Sequence, residues 1–150
     1  MAIINRVADR QPAIQAGRRD IHQHPELLYD VHRTAAFVAD RLREFGCDEV
    51  ATGLGRTGVV GVIKGRKPKG HGDVKVIGLR ADMDALPIEA QTNLAYACKT
   101  PGQMHHCGHD APTPLLLGLR RYHANAPDSA GDAGVSVHAS EQVGVCDKRL

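Results

Sequence analysis

The strongest constraint on the fold of this chain is a change of apolar period at Gly46. Before it, Ala35, Val38, Ala39, Leu42 and Phe45 recur at helical spacing, which predicts a helix over Thr34 to Phe45 with Gly46 as its stop. After it, the runs "TGVVGVIKG" and "DVKVIGLRAD" predict two strands joined by the turn-forming "RKPKGHG", either as a hairpin or as neighbours in one sheet. The segment "TPLLLGLRRYHAN" then reads as an apolar helix and "AGVSVHAS" as a further strand. Helices alternating with strands place the chain in the α/β class. With no tryptophan, 2 phenylalanines and 3 tyrosines, the core must be built from Val, Leu, Ile and Ala, which suits a sheet flanked by helices better than an aromatic-rich sandwich.

The 150 residues suffice for one globular domain with a core and fall short of two. Lysine and arginine exceed the acidic residues by a formal charge of only +2, with one short cluster in "KGRKPKGHG", so a nucleic-acid partner is not expected. Charges interrupt every apolar stretch of "MAIINRVADRQPAIQAG", which leaves neither a signal-peptide core nor a membrane span; no membrane partner and a cytoplasmic location are expected. Cys47, Cys98, Cys107 and Cys146 form no CxxC pair and read as reduced thiols.

Ile4, Val7, Ile14 and Ile21 predict a helix from Ile3 to His22, with Pro12 in its interior as a kink or a division. In "QHPELLYDVH", His24 precedes Pro25 and is biased towards extended backbone, which marks a boundary. Residues 89 to 103 read as loop.

Chemistry concentrates in "MHHCGHD", residues 104 to 110. Cysteine thiolate and histidine imidazole are good ligands for zinc and similar metals, and Gly108 lets the backbone bend between Cys107 and His109. A pair is not a complete site, and His105, His106 and Asp110 are further candidates in the same stretch. A polar loop with a buried cysteine is the plainer reading. In "RADMDALP", Asp82 and Asp84 alternate on an extended segment, so both could face one cleft and orient a histidine ligand; the plainer reading pairs them with Arg80 at a solvated strand end. For His22, His24 and Glu26 of "HQHPE", capping and packing are favoured over metal binding. His32, His71 and His123 read as surface residues, and Met83 and Met104 as core filling.

Taken together, "DIHQHPELLYDVHRTAAFVADRLREFG", "LRADMDALPI" and "PGQMHHCGHD", in this order, resemble the hippurate hydrolase and indole-acetyl-amino-acid amidohydrolase branch of the dinuclear metallo-aminoacylase and carboxypeptidase family. The resemblance runs from about the N-terminus to Asp110. It implies that residues 1–150 form the N-terminal part of an α/β metallo-amidohydrolase catalytic domain, a mixed sheet flanked by helices, in which the family's inserted dimerisation domain is absent. It implies hydrolysis of the amide bond of a small N-acyl-amino acid by a centre of two divalent metals, of the Zn, Mn, Co or Ni group. Such an enzyme is compatible with a homo-oligomer. By the family's pattern Cys107 and His109 are metal ligands and Asp84 orients a ligand. "VSVHASEQVG" stands where the family has "VIFQPAEEGG", which makes Glu141 the general base and puts Gln142, a weak ligand, in place of a metal-binding glutamate.

Ala111 and Pro112 also depart from the family's usual Gly and His, and the chain ends at Leu150, before the positions of further histidine ligands. The first expectation is therefore an amidohydrolase that looks truncated and is inactive alone unless a partner chain or a missing segment completes its metals. The other functional class is a non-catalytic remnant of the fold that binds metal weakly or associates with another subunit. A thiol or metal sensor using Cys107 with Cys98 or Cys146 rests on composition alone.

Overall fold

The computed structural model describes residues 8–65, 76–124 and 132–139. Within them, helix α1 spans Gln11–Gln23, α2 His32–Glu44 and α3 Pro112–Ala124, while strands β1 to β4 span Glu49–Leu54, Gly58–Ile63, Val76–Asp82 and Asp132–His138. The strands form one mixed sheet in the order β1-β2-β4-β3. β2 is antiparallel to both β1 and β4, and β3 is parallel to β4.

Helix α1 begins at Gln11, after a turn at Asp9 and Arg10 that follows helical Ala8, so the expected helix is divided there. Pro12 lies in the first turn, where its missing N–H has no helical partner to lose, so it opens this helix and does not kink it. Ile4 and Val7 of the expected longer helix lie outside the described residues. α2 matches its pattern closely: Thr34, Val38, Ala39 and Leu42 are its buried face, and Gly46 follows at φ 73°. The first turn of α2 contains no acidic residue and has no local side-chain cap. Glu26 supplies one from the preceding loop, its two carboxylate oxygens accepting from the backbone N–H groups of Arg33 (2.9 Å) and Thr34 (2.8 Å).

The two predicted strands do share a sheet but are not neighbours, because β4 lies between them. The reason is topological: α3 packs on β3 and carries the chain to a parallel partner, and β4 then uses its other edge for β2. β1 was not expected, since almost all of "EVATGL" is exposed and the strand has no apolar alternation to announce it. Residues 89–103 contain no helix or strand, as read.

The core lies between the sheet and the helices. Val38, Ala39 and Leu42 of α2 and Leu116 and Leu117 of α3 pack with Val59, Ala81, Val135 and Val137 of the strands and with Met83. α1 reaches this layer across α3, and Gly118 permits the approach: a Cβ there would stand 2.6 Å from Ile14 Cδ1. No helix among the described residues is long and apolar enough to cross a membrane.

Candidate functional site

The end of β3, the segment that follows it and the 104–110 segment meet through backbone pairing. Met83 N–H donates to His138 C=O and Ala85 N–H to Glu26 C=O, and Leu86 and Met104 exchange both of their backbone hydrogen bonds at 3.0 Å. Thr113, in the first turn of α3, donates its hydroxyl to Asp82 C=O. These ties hold Asp84 opposite His109.

Asp84 is 2% exposed. Its carboxylate Oδ1 lies 2.9 Å from His109 Nδ1, and its backbone carbonyl lies 3.0 Å from the same nitrogen. A carbonyl and a carboxylate only accept, so Nδ1 carries the hydrogen and the lone pair of the ring sits on Nε2. A neutral imidazole oriented in this way by a carboxylate is the form in which histidine binds a metal. Cys107 is exposed and is not in a disulfide, and it is separated from His109 only by Gly108 at φ 84°, a left-handed conformation that a side chain there would strain. Asp82 takes the other reading, with Arg80 3.2 Å from its carboxylate, so the two aspartates have different partners.

The next residue, Asp110, is fully buried and faces α1. Its Oδ2 accepts from His22 Nδ1 at 2.9 Å and from Arg18 Nε at 3.2 Å. His22 packs edge-on against Tyr96, and its ring centroid is 6.4 Å from that of His105. His105 is 4% exposed, and neither of its ring nitrogens has a hydrogen-bond partner among the described residues. Burial, partly opposed by the charge of Asp110, pulls its pKa from 6.5 down to about 4, which keeps this imidazole neutral at physiological pH. The "HQHPE" residues diverge: His22 turns to Asp110, His24 Nδ1 donates to Asp20 C=O at 2.9 Å, and Glu26 caps α2.

The donor types of Cys107 and His109 fit a borderline divalent ion, but among the described residues no three His, Cys, Asp or Glu side chains converge as a metal site. Glu141 and Gln142 lie outside the described residues. The buried pairing of His22 with Asp110 is the element that sequence reasoning did not find; its one signal is a histidine beside Ile21 on the buried side of α1. A cavity of about 380 Å³ between the three helices, lined by Ile14, Phe37, Phe45 and Leu117 among others, includes neither Cys107 nor His109.

No family model matches the chain. It is 48% identical over 125 residues to a hippurate hydrolase of Campylobacter jejuni, covering 83% of this chain and 31% of that protein. It is 38% identical over 126 residues to an N-acyl-L-amino acid amidohydrolase of Geobacillus stearothermophilus, covering 83% and 32% respectively. The crystal structure of the Bacillus subtilis YxeP protein, described as a dinuclear metal binding peptidase of the M20 family, superposes with a TM-score of 0.80 at 35% identity, covering 88% of this chain and 36% of that one. The chain thus spans about a third of the length of these relatives.

Proposed function

We propose, from the premise that this chain belongs to the family of hippurate hydrolases and N-acyl-amino acid amidohydrolases, that it serves metal-dependent hydrolysis of the amide bond of a small N-acyl-amino acid. The observation that carries this reading is the pairing of buried Asp84 with His109 Nδ1 beside a thiol that can ligate. Cys107 and His109 are the residues that would hold a divalent ion.

A bound ion of this kind polarises a scissile carbonyl and makes water more acidic. Asp84 holds the proton of His109 on Nδ1 and so keeps Nε2 a donor of electrons. In this reading Glu141 takes the proton from the attacking water and returns it to the leaving amine, and Gln142 is at most a weak ligand. The zinc, manganese, cobalt and nickel group is the proposed metal class, because a thiolate and an imidazole suit it better than they suit magnesium or calcium. Cys47, Cys98 and Cys107, none in a disulfide, support the cytoplasm as the place of action.

That no three His, Cys, Asp or Glu side chains converge among the described residues favours a second reading, weak metal binding without turnover. One experiment separates the two. Purified chain is analysed for metal content and assayed for release of glycine from hippurate with added manganese or zinc. Metal held by the wild type, lost in Cys107→Ser, together with glycine release, supports the hydrolase. Metal held without turnover supports the second reading, and no Cys107-dependent metal removes both.

A further inference from the structure

Two histidine–carboxylate pairs meet at consecutive residues. His109 is tethered on one side to Asp84, and Asp110 reaches the other way, into α1, to His22 and Arg18. Between these tethers and Cys107 stands Gly108, whose φ of 84° and the turn closed by Ala111 N–H on Gly108 C=O make the segment a compact bend between the Met104–Leu86 pairing and the start of α3. Between those two backbone ties the bend itself is oriented by its side-chain anchors.

The anchor at Asp110 is not an exposed ion pair. The carboxylate side chain is 1% exposed and His22 7%, whereas Arg18 is 46% exposed and contributes a more screened contact. Asp110 Oδ1 and His22 Nε2 have no hydrogen-bond partner among the described residues, so the single His22 Nδ1 to Oδ2 bond is the main buried contact of both groups. A buried carboxylate that loses its donor will move towards water rather than stay unpaired. Because Asp110 adjoins His109, that movement acts directly on the imidazole that Asp84 holds.

We propose that His22 is a positioning residue: through Asp110 it sets the pose of Cys107 and His109, although it belongs to α1 and lies more than 80 residues before them in sequence. Its consequence for metal binding rests on the function proposed above; its effect on His109 does not.

The test uses the full chain, labelled with ¹⁵N and free of metal, in which the tautomer and the Nδ1–H signal of His109 are recorded. Asparagine places an N–H donor near the position of His22 Nδ1 and glutamine places one near Nε2, so His22→Asn is expected to keep the wild-type signal. In His22→Gln the Nδ1–H is expected to exchange about tenfold faster or more. Cobalt affinity should fall about ten- to a hundredfold in His22→Gln and recover in His22→Asn, as for other residues that orient a ligand from behind. A wild-type His109 signal in His22→Gln overturns the proposal. If that variant does not fold, Asp110→Asn is read in the same way, with the same overturning result. Wild-type protein whose cobalt spectrum shows no Cys107-dependent thiolate absorption removes the metal reading alone, because the His109 signal decides the role of His22 without metal.

Discussion

Asp84 and His109 stand 25 residues apart in sequence and 2.9 Å apart in space, and the hydrogen bond between them fixes which ring nitrogen can bind a ligand. Asp84→Ala removes the carboxylate acceptor and leaves His109 Nδ1 only the weaker hold of the backbone carbonyl of residue 84. Divalent-ion affinity is expected to drop about ten- to a hundredfold. Competition with a chromogenic chelator measures this, with far-UV circular dichroism as the check on folding. An affinity within twofold of wild type in a folded variant would show that Asp84 does not orient the ligand.

Glu26 caps α2 from outside the helix. Glu26→Ala leaves two N–H groups without their acceptor and is expected to lower stability by about 1–2 kcal/mol, within the range of lost helix caps. Glu26→Gln, which keeps one acceptor oxygen, should lose less. Urea unfolding of the three proteins gives the order; equal midpoints would refute the cap.

The pH dependence of stability follows from His105. Unfolded, its imidazole titrates near 6.5, and folded near 4, so between these values the unfolded chain binds more protons. The contribution is fully present above about pH 6.5 and is lost as pH falls towards 4, by on the order of 3 kcal/mol in total. His105→Phe removes the titrating group. The difference between the urea midpoints of wild type and variant should therefore change across this window and stay flat above pH 7, and a difference that is constant from pH 4 to 7 would contradict the assignment.

Gly118 lets α1 and α3 approach. Gly118→Ala brings a methyl to 2.6 Å from Ile14 Cδ1 and 2.9 Å from Cγ1, so the helix-propensity gain of about 1 kcal/mol is opposed by overpacking of roughly 1–3 kcal/mol. In an Ile14→Ala background the same change should become stabilising. A double-mutant cycle with no coupling between the positions would show that the helices adjust freely.

The legible part of this chain was the part in which one residue type has one local meaning. The α2 face, its glycine stop and the two valine-rich runs follow from period alone, and the composition of the core follows from the scarcity of aromatics. Cys107, His109 and Asp84 were legible as candidates because their residue types are costly to place idly and their spacing matched a known pattern. Three things were not legible. β1 has nearly every side chain exposed and is fixed by pairing with β2. The insertion of β4 between β2 and β3 depends on a crossover that local pattern does not encode. The partnership of His22 with Asp110 joins residues 88 apart, and only the packing of α1 brings them together.

The central place of β4 has a consequence for how the molecule is made. Of the described strands, β1 and β2 can zip together as soon as both have left the ribosome, but the described partner of β3 is β4, the last of them in sequence. Until residues 132–138 emerge, β3 lacks its described hydrogen-bonding partner, and one side of β2 waits with it. Closing such distant pairings is entropically slow, and unpaired strands are what other chains attach to. The described strands are therefore made as two halves of a sheet that one later segment, residues 132–138, stitches together.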